Sequence, residues 1–204
     1  MMLAHQALTR RTIWQAQGVL CIWRTALAQP PAVRGQPTFV ASDPTEGPEP
    51  LLVVWRDGSV TALCGHVDLG TGLRTALTQI VAEELDVPMS WVHLIMGSTE
   101  SAPNQGATIA SASIQIHAEP LRRAAAQARA HLSTLWAAIW SCSVNDLVWS
   151  AGQVGQGDHL ALYSQVIPES ATRLELDLNC PVKPQKQHRL VGQSVPRVDI
   201  PAKA

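Results

Sequence analysis

The sequence has little from which a protein-held metal centre or a nucleic-acid surface could be built. Its four cysteines, Cys21, Cys64, Cys142 and Cys180, stand far apart with no Cys-x-x-Cys pair. That spacing argues against a zinc knuckle or an iron-sulfur centre in this chain and for buried or incidental thiols. Formal net charge is -1 and the basic residues are scattered, which gives no electrostatic case for nucleic acid. A polyanionic ligand would have to be held by backbone donors instead. The one amino-terminal apolar stretch, Gly18 to Trp23, is interrupted by Arg24 and falls well short of a membrane span. A Walker-type lysine is also missing: Gly70-Thr71-Gly72 is followed by Leu73-Arg74, which sets aside a phosphate loop of that kind.

What is present fits one domain, or one domain with a tail, since 204 residues are ample for a buried core. Residues 1–28 have the order of a degenerate twin-arginine export signal: Arg10-Arg11, then the short apolar stretch, then the small residues Ala26-Leu27-Ala28. A working signal implies a periplasmic protein; the alternative is an amphipathic arm on a cytoplasmic one. The proline-rich stretch 29–50 reads as a linker.

Pattern begins at Leu51. Leu51 to Trp55, a turn at Asp57-Gly58, and Ser59 to Cys64 read as two antiparallel strands. After the glycine turn, Leu73, Leu77, Ile80, Val81 and Leu85 recur at helical spacing up to Pro88. Trp91 to Met96 reads as a third strand, and 97–112 as a long loop of small polar residues, a length that usually signals function or disorder. A longer helix follows, with Leu121, Ala125, Ala128, Leu132, Leu135, Trp136, Ile139 and Trp140 on its buried face and Pro120 forcing a kink or a fresh start. A short strand at Leu147 to Trp149, a helical turn at Tyr163 to Val166 and a last strand at Leu174 to Leu178 complete the pattern. The fold class expected is α+β: a small mixed sheet, an amphipathic helix after the Gly-Thr-Gly turn, and a second longer helix packed on one face, over residues 51–180.

Isolated chemical residues read blandly. His66, His93 and His117 are expected as structural polar groups, and Glu83 and Glu84, about 100° apart on a helix, as solvated or capping charges. Trp136 and Trp140 read as packing groups, and Gly70-Thr71-Gly72 alone reads as a strand-to-helix turn capped by Thr71.

Taken together, several segments resemble the molybdopterin-binding large subunit of the xanthine dehydrogenase and aldehyde oxidase family, especially its isoquinoline oxidoreductase and nicotinate dehydrogenase branch. They are GHVDLGTG at 65–72, TALTQIVAEELDVP at 75–88, Gly97 to Thr99, PNQG at 103–106, TIASAS at 108–113, Ala124 to Leu132, and VGQSVPRVDIPAK at 191–203. The last looks like the family's connector to a following domain, giving a connector over 181–204.

The resemblance implies a seat for molybdopterin cytosine dinucleotide made by two loops, with Gly70, Thr71, Gly72, Gln105, Gly106, Thr108, Ser111 and Ser113 as cofactor-binding residues. Amides at the start of the Leu73 helix and small hydroxyls would do the holding. The metal would be held by the cofactor's own sulfurs, so no protein ligand is expected, and no catalytic residue can be named here. Thr71 stands where the family commonly has glutamine, Ser98 where the branch often has aspartate, and Ala110 where it often has glycine. The implied complete enzyme hydroxylates N-heterocycles or aldehydes with oxygen from water and passes electrons to a [2Fe-2S] small subunit. This chain would be its amino-terminal part, inactive alone, needing the remainder of the large subunit; the alternative is a truncated cofactor-binding module without activity.

Overall fold

A computed structural model describes residues 9–24, 48–198 and 200. It contains α1 (Arg10–Gln15), α2 (Leu73–Leu85) and α3 (Ala118–Trp140), with eight strands: β1 (Val19–Arg24), β2 (Glu49–Trp55), β3 (Val60–Cys64), β4 (Val92–Met96), β5 (Val148–Ser150), β6 (Gln153–Gln156), β7 (His159–Leu162) and β8 (Thr172–Glu175). Five strands form a mixed sheet in the order β4-β3-β2-β1-β8, and β5-β6-β7 form a small antiparallel sheet. The expected α+β class, with the longer helix on one sheet face, is what the structure has.

Alternation along the strands divides the core. Leu20, Ile22, Leu52, Val54, Val60 and Ala62 point to the side covered by Leu77, Val81 and Leu85 of α2 and by Leu121, Ala125, Ala128 and Leu132 of α3. Val19, Cys21, Val53 and Leu63 point the other way, where Ile13 of α1 meets them. Side chains of a strand alternate between faces, so both sets can be apolar only if both faces are covered.

The stretch expected as the apolar part of an export signal lies here as β1, antiparallel to β2 and parallel to β8. Val19 to Ile22 are at most 1% exposed. Cleavage after Ala28 would therefore take a strand from inside the sheet; Ala28 itself, with the rest of 25–47, lies outside the described residues. Arg24, the interruption in that stretch, is a buried ion pair with Glu49 at 2.8 Å. Glu49 and Pro50, expected as linker, begin β2.

Pro120 is met neither by a break nor by a fresh start: a π-helical stretch over Ser113–His117 runs directly into α3 through His117 in right-handed helical backbone, and Pro120 falls just past that wider turn. The small sheet β6-β7 had no sequence signal: its strands are four residues each and carry Gly155, Gln153 and Gln156.

Candidate functional site

The connection β3-α2-β4 is a parallel crossover, with Cys64 opposite Met96 at the carboxyl ends of the two strands. The loop after β3 carries the glycine turn and the loop after β4 is the long polar one, so strand pairing alone delivers both to one edge. Carboxyl ends of parallel strands are where such sheets commonly hold ligands.

Three successive residues pin the first loop to the second. Gly65 N–H donates to the Gln105 side-chain carbonyl at 2.7 Å, and Val67 N–H to the Thr108 hydroxyl at 3.0 Å. Between them His66 Nδ1 lies 2.6 Å from the Ser113 hydroxyl and Nε2 3.3 Å from the Gln105 carbonyl. The approach is close enough that a Cβ added at Gly65 would stand 2.2 Å from the Pro103 carbonyl oxygen. The buried Arg24–Glu49 pair supports the arrangement from below: Arg24 donates to the Asn104 carbonyl at 3.0 Å while Asn104 N–H donates to Glu49 at 2.7 Å.

Of the eight residues expected to bind cofactor, the structure thus gives Gln105, Thr108 and Ser113 a different present use: their side chains join the two loops. Gly70, Thr71 and Ser111 are exposed, with Gly72 and Gly106 half-buried. Gly70 and Gly72 have φ of 91° and 81°, left-handed values that favour glycine. A Cβ at Gly70 would meet nothing within 4 Å, so there is room for a ligand against the turn.

Thr71 is not the helix cap. Gly72 occupies that position without a side-chain bond, and Asp68 does the work instead. Its carboxylate accepts from Gly70 N–H at 3.0 Å, Thr71 N–H at 2.9 Å and Arg74 N–H at 3.0 Å. Partial burial would raise its carboxyl, but these backbone donors outweigh that and hold it below the usual range. Amides expected to face an anion are therefore already paired with one. The signal was legible: an aspartate two and three residues before Gly70 and Thr71 is an Asx-turn spacing.

Ala110 and Ser111 carry φ of 53° and 56°. This gives a backbone reason for glycine at 110 in the resembling branch, because a Cβ costs energy there. Ala110→Gly is expected to stabilise the chain by about 0.5–1 kcal/mol once the entropy gained by the unfolded state is set against the relieved strain, raising Tm by about 2 °C in a thermal melt.

His66 and His117 pack with ring centroids 4.1 Å apart. His117 is pushed down to about 4, first by burial, then by His66 and Arg24. Burial also lowers His66. A histidine harder to protonate folded than unfolded contributes stability fully above about pH 6.5, and that contribution falls as pH drops toward 4. Between pH 7.5 and 5 the loss from His117 is about 2 kcal/mol, to be read as a falling urea midpoint that flattens in His117→Gln. His93 is exposed on β4.

Glu83 and Glu84 correct the expectation of solvated charges: they are 2% and 1% exposed. Glu83 accepts from Arg189, Leu190 and Val191 N–H at 2.8, 2.6 and 3.0 Å. Buried Lys183 pairs with Glu83 at 3.0 Å and with Asp86 at 2.8 Å. Burial would raise the Glu83 carboxyl, but the Leu190 and Val191 amides, Lys183 and Arg189 together hold it at about 2. Glu84 pairs with Arg122 at 2.7 Å. A cleft of about 220 Å³ opens beside these groups, lined also by Ile80, Ile114 and Val191. Its charges are spent on one another and on the 183–191 backbone, so the two loops are the better candidate.

Trp136 and Trp140 are packing groups as expected, with centroids 4.6 Å apart and Trp136 donating to the Tyr163 carbonyl. Among the described residues the four cysteines are free, no cluster of metal-ligating side chains occurs, and no helix is long and apolar enough to cross a membrane.

Residues 5–182 match the family model of the molybdopterin cofactor-binding domain. The chain belongs to this family. This molybdopterin cofactor-binding domain is 49% identical over 155 residues to a nicotinate dehydrogenase subunit of Pseudomonas putida, covering 75% of the chain and 13% of that protein. It is 36% identical over 74 residues to aldehyde oxidase 3 of Mus musculus, covering 36% of the chain and 6% of that protein. Among solved structures it is similar to quinoline 2-oxidoreductase of Pseudomonas putida 86, with a TM-score of 0.49 and 27% identity over 56% of this chain and 15% of that one. The ligand class of the matched domain is a molybdopterin cofactor, and the relatives that carry it are a dehydrogenase and an oxidase by name. It spans a small part of the length of each relative.

Proposed function

We propose that this chain forms the glycine-turn side of a seat for molybdopterin cytosine dinucleotide, in an oxidoreductase that in complete form hydroxylates N-heterocycles or aldehydes with oxygen from water. The observation that carries the proposal is the pinning of the loop after β3 to the loop after β4 through Gly65, His66 and Val67. It leaves Gly70, Thr71 and Ser111 exposed, flanked in sequence by Leu69 and Ile109, which are 73% and 54% exposed. An amphiphilic ligand suits that mixture of bare backbone, hydroxyls and apolar side chains.

Bound there, the cofactor supplies the redox centre. The chain supplies shape and polar contacts: the Ser111 hydroxyl donates to the ligand, the Thr71 hydroxyl, which donates to Asp68 at 3.3 Å, keeps its oxygen as an acceptor, and Gln105, Thr108 and Ser113 hold the loops in register. Asp68 is committed to backbone amides, so the turn offers no free base. Proton transfer and substrate selection then fall to the remainder of the large subunit, and electrons pass to a [2Fe-2S] small subunit. The commitment of Asp68 also favours the second reading for the chain alone, a cofactor-binding module without turnover.

Both readings are tested on chain purified from a host that makes the cofactor, assayed for molybdenum, for cytidine monophosphate released by acid, and for dye reduction with nicotinate, quinoline or benzaldehyde. Metal and nucleotide in equal amounts without dye reduction is the expected result. Neither metal nor nucleotide above the level of a Gly65→Ala control would sink the seat; dye reduction would overturn the absence of turnover.

A further inference from the structure

The family match ends at residue 182, yet residues 183–198 are built into the domain. They run back along α2 from its carboxyl end to its amino end. Lys183 is tied to Glu83 and Asp86, and Arg189 to Val191 donate to Glu83. Gln79 donates to the carbonyls of Leu190 and Gln193, and Val198 N–H donates to the Thr75 hydroxyl at 3.0 Å. At the end of this strap the Arg197 guanidinium donates to the Gly70 carbonyl at 3.2 Å and lies against Gly72, where an added Cβ would stand 3.5 Å from Nε.

We propose that Arg197 is a positioning residue of the cofactor seat, carried to the glycine turn by a strap that is part of the cofactor-binding unit. Asp68 holds the turn through its N–H groups and Arg197 holds it through the Gly70 carbonyl, so opposite ends of adjoining peptide units are fixed. A left-handed glycine has several backbone wells open to it, and clamping both sides selects one. The buried Glu83 carboxylate anchors the strap so that the arginine arrives in register. The role toward cofactor rests on the proposed seat; the hold on the turn does not.

The test uses the full chain and the variants Arg197→Ala and Arg197→Lys. Amide hydrogen exchange at Gly70, Thr71 and Arg74 is measured beside exchange in α3, the thermal midpoint, and molybdenum per chain after expression in a cofactor-producing host. In Arg197→Ala, exchange at the turn is expected to accelerate about fivefold, with α3 protection and the midpoint nearly unchanged. Molybdenum content should fall by a similar factor, and Arg197→Lys should restore part of both. A merely structural contribution would move the midpoint and α3 exchange in step with the turn, and that pattern overturns the proposal. So does unchanged turn exchange, or full metal loading in Arg197→Ala when the wild-type chain loads. If the wild-type chain takes up no metal, the cofactor reading and with it the arginine's role in a seat fail, whereas exchange still decides the hold on the turn.

Discussion

Gly65→Ala is expected to part the two loops and to be among the most damaging single-methyl additions in the protein. The new Cβ would lie 2.2 Å from the Pro103 carbonyl oxygen and 3.1 Å from the Gln105 amide nitrogen, both backbone atoms that cannot rotate away. Relief requires a shift of the second loop, which also breaks the bond from Gly65 N–H to Gln105 and strains those at His66 and Val67. Overpacking of this kind, with a buried bond lost, costs about 2–4 kcal/mol. Chemical denaturation should show a lowered midpoint with an unchanged slope, and cofactor content should drop by at least about tenfold, since 1.4 kcal/mol of loop displacement suffices for that. Gly70→Ala separates the two reasons for glycine: open space surrounds its Cβ, but φ is 91°, so strain alone operates there. A Gly65→Ala protein as stable and as fully loaded as the parent would contradict the close pinning of the loops.

Lys183→Met is the second large effect. The ammonium is 3% exposed and bridges Glu83 and Asp86, themselves 2% and 9% exposed. Removing the cation leaves Glu83 with its three backbone donors and Asp86 with Arg129 at 3.0 Å, so the loss falls at the lower end of the range for breaking a buried pair, about 3 kcal/mol. Adding Glu83→Gln to Lys183→Met should recover part of the loss, although the amide gives up the charged acceptor for three backbone N–H groups. The coupling appears as non-additivity in a double-mutant cycle. Two losses that simply add would show that the buried charges do not interact.

Residues separated by one helical or strand repeat were readable from sequence; groups whose meaning depends on a distant partner were not. The helix α2 is found over Leu73–Leu85, where apolar spacing, the glycine turn and Pro88 set it. The loops at 65–72 and 97–113 were legible as a pair only through family likeness, and their parallel-strand origin gives the physical reason they meet. Gln105, Thr108 and Ser113 were singled out, but whether such side chains face a ligand or the neighbouring loop is a property of packing, absent from any local pattern. Glu83 looked like a surface charge because the amides that surround it come from residues 189–191. The export-signal expectation came from the local order of an apolar run ending in arginine; that the same run also lies as β1, with Glu49 opposite Arg24, depends on a partner outside that order. β8 was expected at Leu174 to Leu178 and lies at Thr172–Glu175, an edge strand set by its register with β1 rather than by its own alternation.

The place of β1 also bears on how the polypeptide matures at the ribosome. Leu20 pairs with Val54 on one side and with Thr172 on the other, so β1 gains its second neighbour only after residues near 172 have been made. Until residues near 175 emerge, the nascent β1-β2-β3 meander presents an open apolar edge. Such long-range closure is slow, and the waiting intermediate is a natural substrate for holding chaperones during translation.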